Sequence, residues 1–185
     1  MSERWTNTAN DKGELSEMLI QSLIETAVKQ LRFSYTPYSH FKVGAALLAV
    51  DGTIYTGCNI ENAAYTPTNC AERTAFFKAV SEGVRDFRAI CIVGGMNGVL
   101  SGYTAPCGVC RQVMMEFCDP ETFQIILAAA DGKYKIYRLK ELLPEGFALT
   151  NLVISRAVFE VNKMVNSIED VFEVVFRCYF YVAGQ

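Results

Sequence analysis

Two short strings, Cys70-Ala71-Glu72 and Pro106-Cys107-Gly108-Val109-Cys110, constrain this chain more than any other feature. A fold that brings them together gathers three thiols and one carboxylate. That is the donor set of a catalytic zinc: three protein ligands, a fourth position left open, and an acid/base group beside it. A structural zinc would be closed by another Cys or His. His40, the single histidine, lies far from both strings in sequence, so the count favours an open site.

The spacing also says how the thiols are presented. Cys107 and Cys110 are three apart and share a face if they open a helix. A helix start offers free N–H groups and a positive dipole end, which draw a thiol towards thiolate. Cys70 is expected at the start of the preceding helix. Three thiolates around Zn²⁺ leave a net negative charge, and Arg73 and Arg111 stand close by in sequence. One or both are expected to donate hydrogen bonds to the sulfurs, although each alone reads equally well as a surface arginine. Glu72 is placed to move a proton beside the metal. Alone it would be a favourable dipole partner, and C-x-x-C alone also serves redox pairs and structural zinc. The combination is far more specific.

Around these strings the chain reads as alternating elements. Leu15, Met18, Leu19, Leu23, Ala27, Val28 and Leu31 keep a helical period and predict a first helix over 14–33. Residues 41–50 and 53–60 read as strands joined by Asp51-Gly52. Asn69 is expected to cap a second helix that ends at Gly83. Residues 87–93 form a third strand. A loop with Gly94, Gly95, Gly98 and Gly102 then leads to Pro106 and a third helix over 107–118. Residues 123–130 and 133–139 pair around Asp131-Gly132. This order predicts a mixed sheet with helices on its faces. The stretch 155–185 keeps a helical period and reads as a C-terminal helix docked on the body or on another subunit, with a strand or a poorly ordered tail as alternatives.

Composition narrows the function. The 185 residues suffice for one full core, with 51% hydrophobic and 20% charged. A net charge of -3 with no Lys/Arg run disfavours a nucleic-acid partner. Residues 1–13 are polar and lack a signal-peptide core. No apolar run reaches membrane-spanning length, so no membrane partner is expected. Seven cysteines without a disulfide framework suit a cytoplasmic protein, with nuclear entry by diffusion left open.

At these motifs the chain resembles the zinc-dependent cytidine deaminases, in particular the small homotetrameric type with three cysteine zinc ligands. The resemblance runs over about 15–152 and includes Y-S-H-F-K-V-G-A-A-L from Tyr38, G-C-N-I-E-N-A from Gly57, C-A-E-R-T-A from Cys70, P-C-G-V-C-R-Q from Pro106 and L-L-P-x-x-F ending at Phe147. It implies a three-layer α/β/α fold with a mixed five-stranded sheet over 14–152, between a polar extension over 1–13 and a C-terminal extension over 153–185. It implies one Zn²⁺ per subunit on Cys70, Cys107 and Cys110, with Glu72 as the catalytic acid/base. Phe41 would pack on the pyrimidine, Asn59 and Glu61 would bond the ribose hydroxyls, and the Ala71 main chain would help to hold the base. Phe147 would enter the site of a neighbouring subunit, and Tyr65 would contact another subunit of a homotetramer.

The activity implied is hydrolytic deamination of free cytidine and 2′-deoxycytidine to uridine and 2′-deoxyuridine with release of ammonia, in pyrimidine salvage. Read without the resemblance, Phe41 is more often core. Asn59 and Glu61, two apart on an extended segment, suit either a diol or a solvated edge. Ala148-Leu149 stands where the family usually has Gly-Pro, and the tail beyond Leu152 has no family counterpart. Two other readings compete. One is a deaminase of another aminated heterocycle, against which the Asn59/Glu61 pair and the acidic balance argue. The other is a catalytically silent zinc-binding scaffold, against which Glu72 and the open ligand position argue.

Overall fold

The computed structural model describes residues 14–148. Side chains along strand β1 (Phe41–Ala49) alternate between two cores, as the period of an extended chain requires. Ala46 and Leu48 pack with Leu23, Ala27 and Leu31 from helix α1 (Glu17–Gln30) and the single 3-10 turn after it (Leu31–Phe33). Ala45, Leu47 and Ala49 pack on the other side with Phe76 and Ala79 of α2 (Ala71–Ser81) and Met114 of α3 (Gly108–Phe117). The sheet is thus the middle of three layers.

Strands β2 (Ile54–Cys58), β3 (Phe87–Met96), β4 (Gln124–Ala128) and β5 (Tyr134–Arg138) complete it in the order β2-β1-β3-β4-β5. Only the β3–β4 pair is parallel, with α3 as its crossover; the other pairs are antiparallel. A one-turn helix, α4 (Leu139–Leu142), follows β5. The mixed five-stranded α/β/α arrangement is the one the sequence leads us to expect.

Two glycines bring the layers close. A Cβ on Gly44 would lie 2.1 Å from the Ala27 carbonyl oxygen of α1, and one on Gly57 would lie 2.1 Å from that of Ala71 in α2. Both neighbours are main chain and cannot swing aside. Gly57→Ala is therefore expected to destabilise the fold by about 3 kcal/mol. It should also weaken zinc binding, because Ala71 lies between Cys70 and Glu72. Denaturant unfolding and zinc titration check this, and a neutral result would contradict the close approach.

Some boundaries differ from the sequence reading. The N-cap of α2 is Cys70 rather than Asn69, whose side chain instead donates to Thr74 Oγ1 at 3.1 Å. Strand β3 runs through Gly94 and Gly95 to Met96, because these glycines pair with Val43 and Lys42 of β1. Gly95 has no room for a Cβ, which would fall 1.8 Å from the Val99 carbonyl oxygen. Met18, expected on the apolar face of α1, is 68% exposed. The chain divides into two units, Met1–Gly146 and Phe147–Gln185. The polar extension over 1–13, the boundary at 152 and the C-terminal extension over 153–185 lie outside the described residues. Among the described residues no helix is long and apolar enough to cross a membrane.

Candidate active site and metal centre

Helices α2 and α3 both begin at the thiol cluster. Cys70 is the N-cap of α2 and Cys107 that of α3, each with extended backbone and neither making a side-chain capping bond. Cys110 follows in the first turn of α3, on the face its spacing predicts. The sulfurs of Cys70 and Cys107 are 3.8 Å apart, those of Cys107 and Cys110 3.5 Å, and all three lie within 4.8 Å of one another. A tetrahedral zinc with Zn–S bonds of ≈ 2.3 Å spaces its sulfurs by about 3.8 Å. The cluster fits that ion. Cys110 is buried, Cys70 half-buried and Cys107 exposed, so the cluster opens on one side.

Electrostatics separate the groups. A hydrogen bond from Cys110 lowers the Cys70 thiol to about 5, with help from Arg73 and Cys107. The same bond with Cys70, together with burial, pushes Cys110 far up, so it holds its proton until a cation replaces it. Glu72 is only 4% exposed. Burial lifts its carboxyl to about 7, against an opposing hydrogen bond from its own main-chain N–H at the helix start. A buried carboxyl in that range exchanges protons near neutral pH.

The two arginines part company. Arg73, three residues after Cys70 on the same face of α2, donates from Nη2 to Cys70 Sγ at 3.6 Å and to the Thr68 carbonyl at 3.1 Å. Of the pair from which one or both sulfur bonds are expected, Arg111 has its bond elsewhere. One residue beyond Cys110 it is turned about 100° around α3, and its guanidinium donates to the Leu142 carbonyl at the end of α4. There it serves a helix-end carbonyl that lacks an intrahelical partner. Arg73→Gln is accordingly expected to weaken zinc binding by about 10- to 100-fold. Arg111→Gln should leave zinc affinity near that of the wild type. Chelator competition distinguishes the two, and equal losses would contradict this division.

The remaining site residues are linked through the main chain. Ile60 pairs with Asn69, the residue before Cys70, so its neighbours Asn59 and Glu61 are tied to the start of α2. The Glu61 carboxylate accepts from the amides of Tyr38 (3.0 Å) and Ser39 (3.2 Å). The Ser39 hydroxyl and these amides hold it below the usual carboxylate range. The Asn59 side chain bonds β1 on both sides, accepting from Val43 N and donating to the Phe41 carbonyl, each at 2.8 Å. Phe41 backs onto Gly94: a Cβ there would sit 3.0 Å from Phe41 Cε1 and 2.7 Å from Thr104 Oγ1. Ala71, fully buried, opens α2 between Cys70 and Glu72.

Tyr65 is 76% exposed in a left-handed backbone conformation (φ 57°), its ring 6.3 Å from that of Tyr38. Phe147 is exposed and is the first residue of the second unit. Sequence reasoning missed Thr68, Gly94 and Thr104. Thr68 meets Arg73 through its carbonyl, which every residue type has, so nothing in the sequence marks that contact.

A centre of this kind belongs to a zinc-dependent enzyme with one open ligand position. Residues 18–126 match the profile of the cytidine and deoxycytidylate deaminase zinc-binding region, and the chain belongs to that family. It is 50% identical over 135 residues to the cytidine deaminase of Sporosarcina psychrophila, covering 73% of this chain and 96% of that one. It is 46% identical over 132 residues to that of Halalkalibacterium halodurans, covering 71% and 96%. The crystal structure of cytidine deaminase from Burkholderia pseudomallei superposes with a TM-score of 0.64 at 44% identity, over 72% of this chain and all of the other. The cluster of three thiols fits the one zinc per chain of that family.

Proposed function

We propose that this protein deaminates free cytidine and 2′-deoxycytidine by hydrolysis, giving uridine and 2′-deoxyuridine with release of ammonia, as a cytoplasmic step of pyrimidine salvage. The observation that carries this reading is a buried Glu72, raised to about 7, beside a zinc-sized thiol cluster in a chain that is 50% identical to a cytidine deaminase. Bound zinc supplies a Lewis acid that activates water at neutral pH. Glu72 would take one proton from the attacking water and deliver it to N3 as the C4–O bond forms. It would then take the second proton from the new C4 hydroxyl and pass it to the amine as the C4–N bond breaks, leaving the C4 carbonyl and ammonia. Arg73 offsets negative charge on Cys70. Phe41 packs on the base, the Ala71 main chain holds it, and Asn59 and Glu61 line the sugar end. The Glu61 carboxylate accepts two amides and keeps lone pairs for a hydroxyl donor.

The working form in this reading is a homotetramer with sites at subunit interfaces, where Tyr65 contacts a second subunit and Phe147 enters a neighbour's site. Exposed Tyr35, Tyr38, Ile60 and Tyr65 supply apolar surface for such contacts. Light scattering should find a four-chain species that Tyr65→Arg shifts to smaller ones. A fully active monomer would contradict the assembly.

The reaction is tested by incubating the full-length, zinc-loaded protein with each nucleoside and separating the products. Equimolar uridine or 2′-deoxyuridine and ammonia are expected. Unchanged nucleosides in the presence of one zinc per chain would sink the reading and favour a silent zinc scaffold.

A further inference from the structure

We propose that Arg111 is a positioning residue for a neighbouring subunit's site: from the zinc helix α3 it holds the end of α4, and with it the root of the segment that carries Phe147. This deepens the cytidine reading and rests on it for the entry of Phe147 into a neighbour's site.

Arg111 belongs to the zinc centre by its main chain and leaves it by its side chain. Its main-chain N–H donates to the Cys107 carbonyl at 3.0 Å and closes the first turn of α3, the turn that presents Cys107 and Cys110. Its guanidinium, turned away from the sulfurs, donates from Nη1 to the Leu142 carbonyl. Met115, one turn further along the same face of α3, supplies a second contact. A Cβ on Gly146 would lie 3.2 Å from Met115 Sδ and 2.8 Å from Leu143 Cδ2. The main chain at Gly146 therefore runs close against both α3 and the end of α4. Arg111 and Met115 meet the chain on either side of Pro144, at Leu142 and at Gly146, and Phe147 is the next residue.

The start of α4 has anchors of its own. Leu139 is fully buried, and the Lys140 amide donates to the Pro120 carbonyl at 3.1 Å. At the other end the single turn is closed by the Leu143 amide on the Leu139 carbonyl at 2.9 Å. The Leu142 carbonyl, among the last of the helix, has no donor within it, and Arg111 takes it. Losing the guanidinium frees the end of α4 and leaves its start in place. The zinc ligands stay where α3 puts them, because the Arg111 side chain is committed to Leu142. Where Phe147 enters a neighbour's site, a misplaced root is felt in that neighbour and not in the chain that carries the substitution.

Mixed assemblies separate the two sites. In Arg111→Gln the amide nitrogen falls where Nε stood and stops short of the Leu142 carbonyl. The full-length, zinc-loaded variant should show a KM for cytidine raised by about tenfold, the scale of one hydrogen bond from a charged donor, with kcat per bound zinc unchanged. It is then co-expressed with an excess of Glu72→Gln chains, which lack the proton carrier but keep Arg111 and Phe147. A zinc centre on an Arg111→Gln chain that receives Phe147 from a Glu72→Gln chain has every part in order. The KM of the mixture should therefore return to that of the wild type. A KM unchanged in Arg111→Gln alone, or one that stays raised in the mixture, would overturn the proposal. Phe147→Ala chains mixed in the same way test the reading beneath it. If they are restored and Arg111→Gln is not, the proposal alone fails. If they are not restored, Phe147 serves no neighbour and the proposal falls with that reading.

Hydrogen exchange in the substrate-free protein gives an answer that needs no turnover. The Leu143 amide should exchange about tenfold faster in Arg111→Gln and at the wild-type rate in Phe147→Ala. The Lys140 amide, bonded to Pro120, should keep its protection in both. Unchanged Leu143 exchange in Arg111→Gln would overturn the proposal by itself. A wild-type protein that converts no cytidine would overturn the deaminase reading instead, with Leu143 exchange still deciding whether Arg111 holds the end of α4.

Discussion

Glu72→Gln is expected to lower kcat for cytidine by about 10²- to 10⁴-fold while zinc stays at one per chain. The substitution keeps the shape of a side chain that is only 4% exposed and removes its ability to carry a proton. Glu72 is not among the three clustered thiols, so the metal has no reason to leave. Stability should move the other way. Burial raises the folded-state carboxyl from 4.5 to about 7. Folding then favours the protonated form, and the cost of burying the carboxylate is absent below the unfolded value and complete above about 7. The metal-free Glu72→Gln protein should gain about 3 kcal/mol at pH 8 and almost nothing near pH 4. Parallel denaturant curves measure this. Unaltered turnover in the variant would remove Glu72 from the mechanism.

Cys110→Ala is expected to be as damaging by a different route. A zinc held by three thiolates draws on the order of 10 kcal/mol or more from its ligands, so losing one should weaken binding by about 10³-fold. The buried Cys110 sulfur lies 3.5 Å from Cys107 at the start of α3, where no other His, Cys, Asp or Glu joins the cluster among the described residues. Activity should disappear with the metal and should not return on adding modest excess zinc. The metal-free fold should survive, because Cys110 keeps its proton there and a methyl group suits the same core. Calorimetry of zinc binding and thermal unfolding of the apoprotein measure the two halves. Tight zinc binding by the variant would show that the ligand set is wrong.

These effects were legible from sequence because the residues that produce them sit at spacings set by helix geometry. Cys107 and Cys110 share a face whatever the rest of the chain does, and Asp51-Gly52 closes its hairpin locally. Other features depend on contacts that sequence separation hides. Arg111 goes to Leu142 because a one-turn helix ends there, and no periodic pattern announces four residues of helix. Asn69 is as good an N-cap by composition as any residue here. The cap nonetheless falls on Cys70, and Asn69 pairs through its main chain with Ile60. Gly94 and Gly95 read as loop because strands seldom carry them. They are in β3 because Phe41 and the Val99 main chain leave no room for a side chain. The family resemblance marks Asn59 as a ribose contact. Its two bonds to β1 follow from where β2 stops, which no local signal marks.

The most direct measurement is the ultraviolet absorbance of cytidine mixed with the full-length, zinc-loaded protein, with Glu72→Gln at equal zinc content beside it. The account predicts conversion of the cytidine spectrum to that of uridine with the wild type and a flat trace with the variant. No change with either protein, or equal conversion by both, would contradict it.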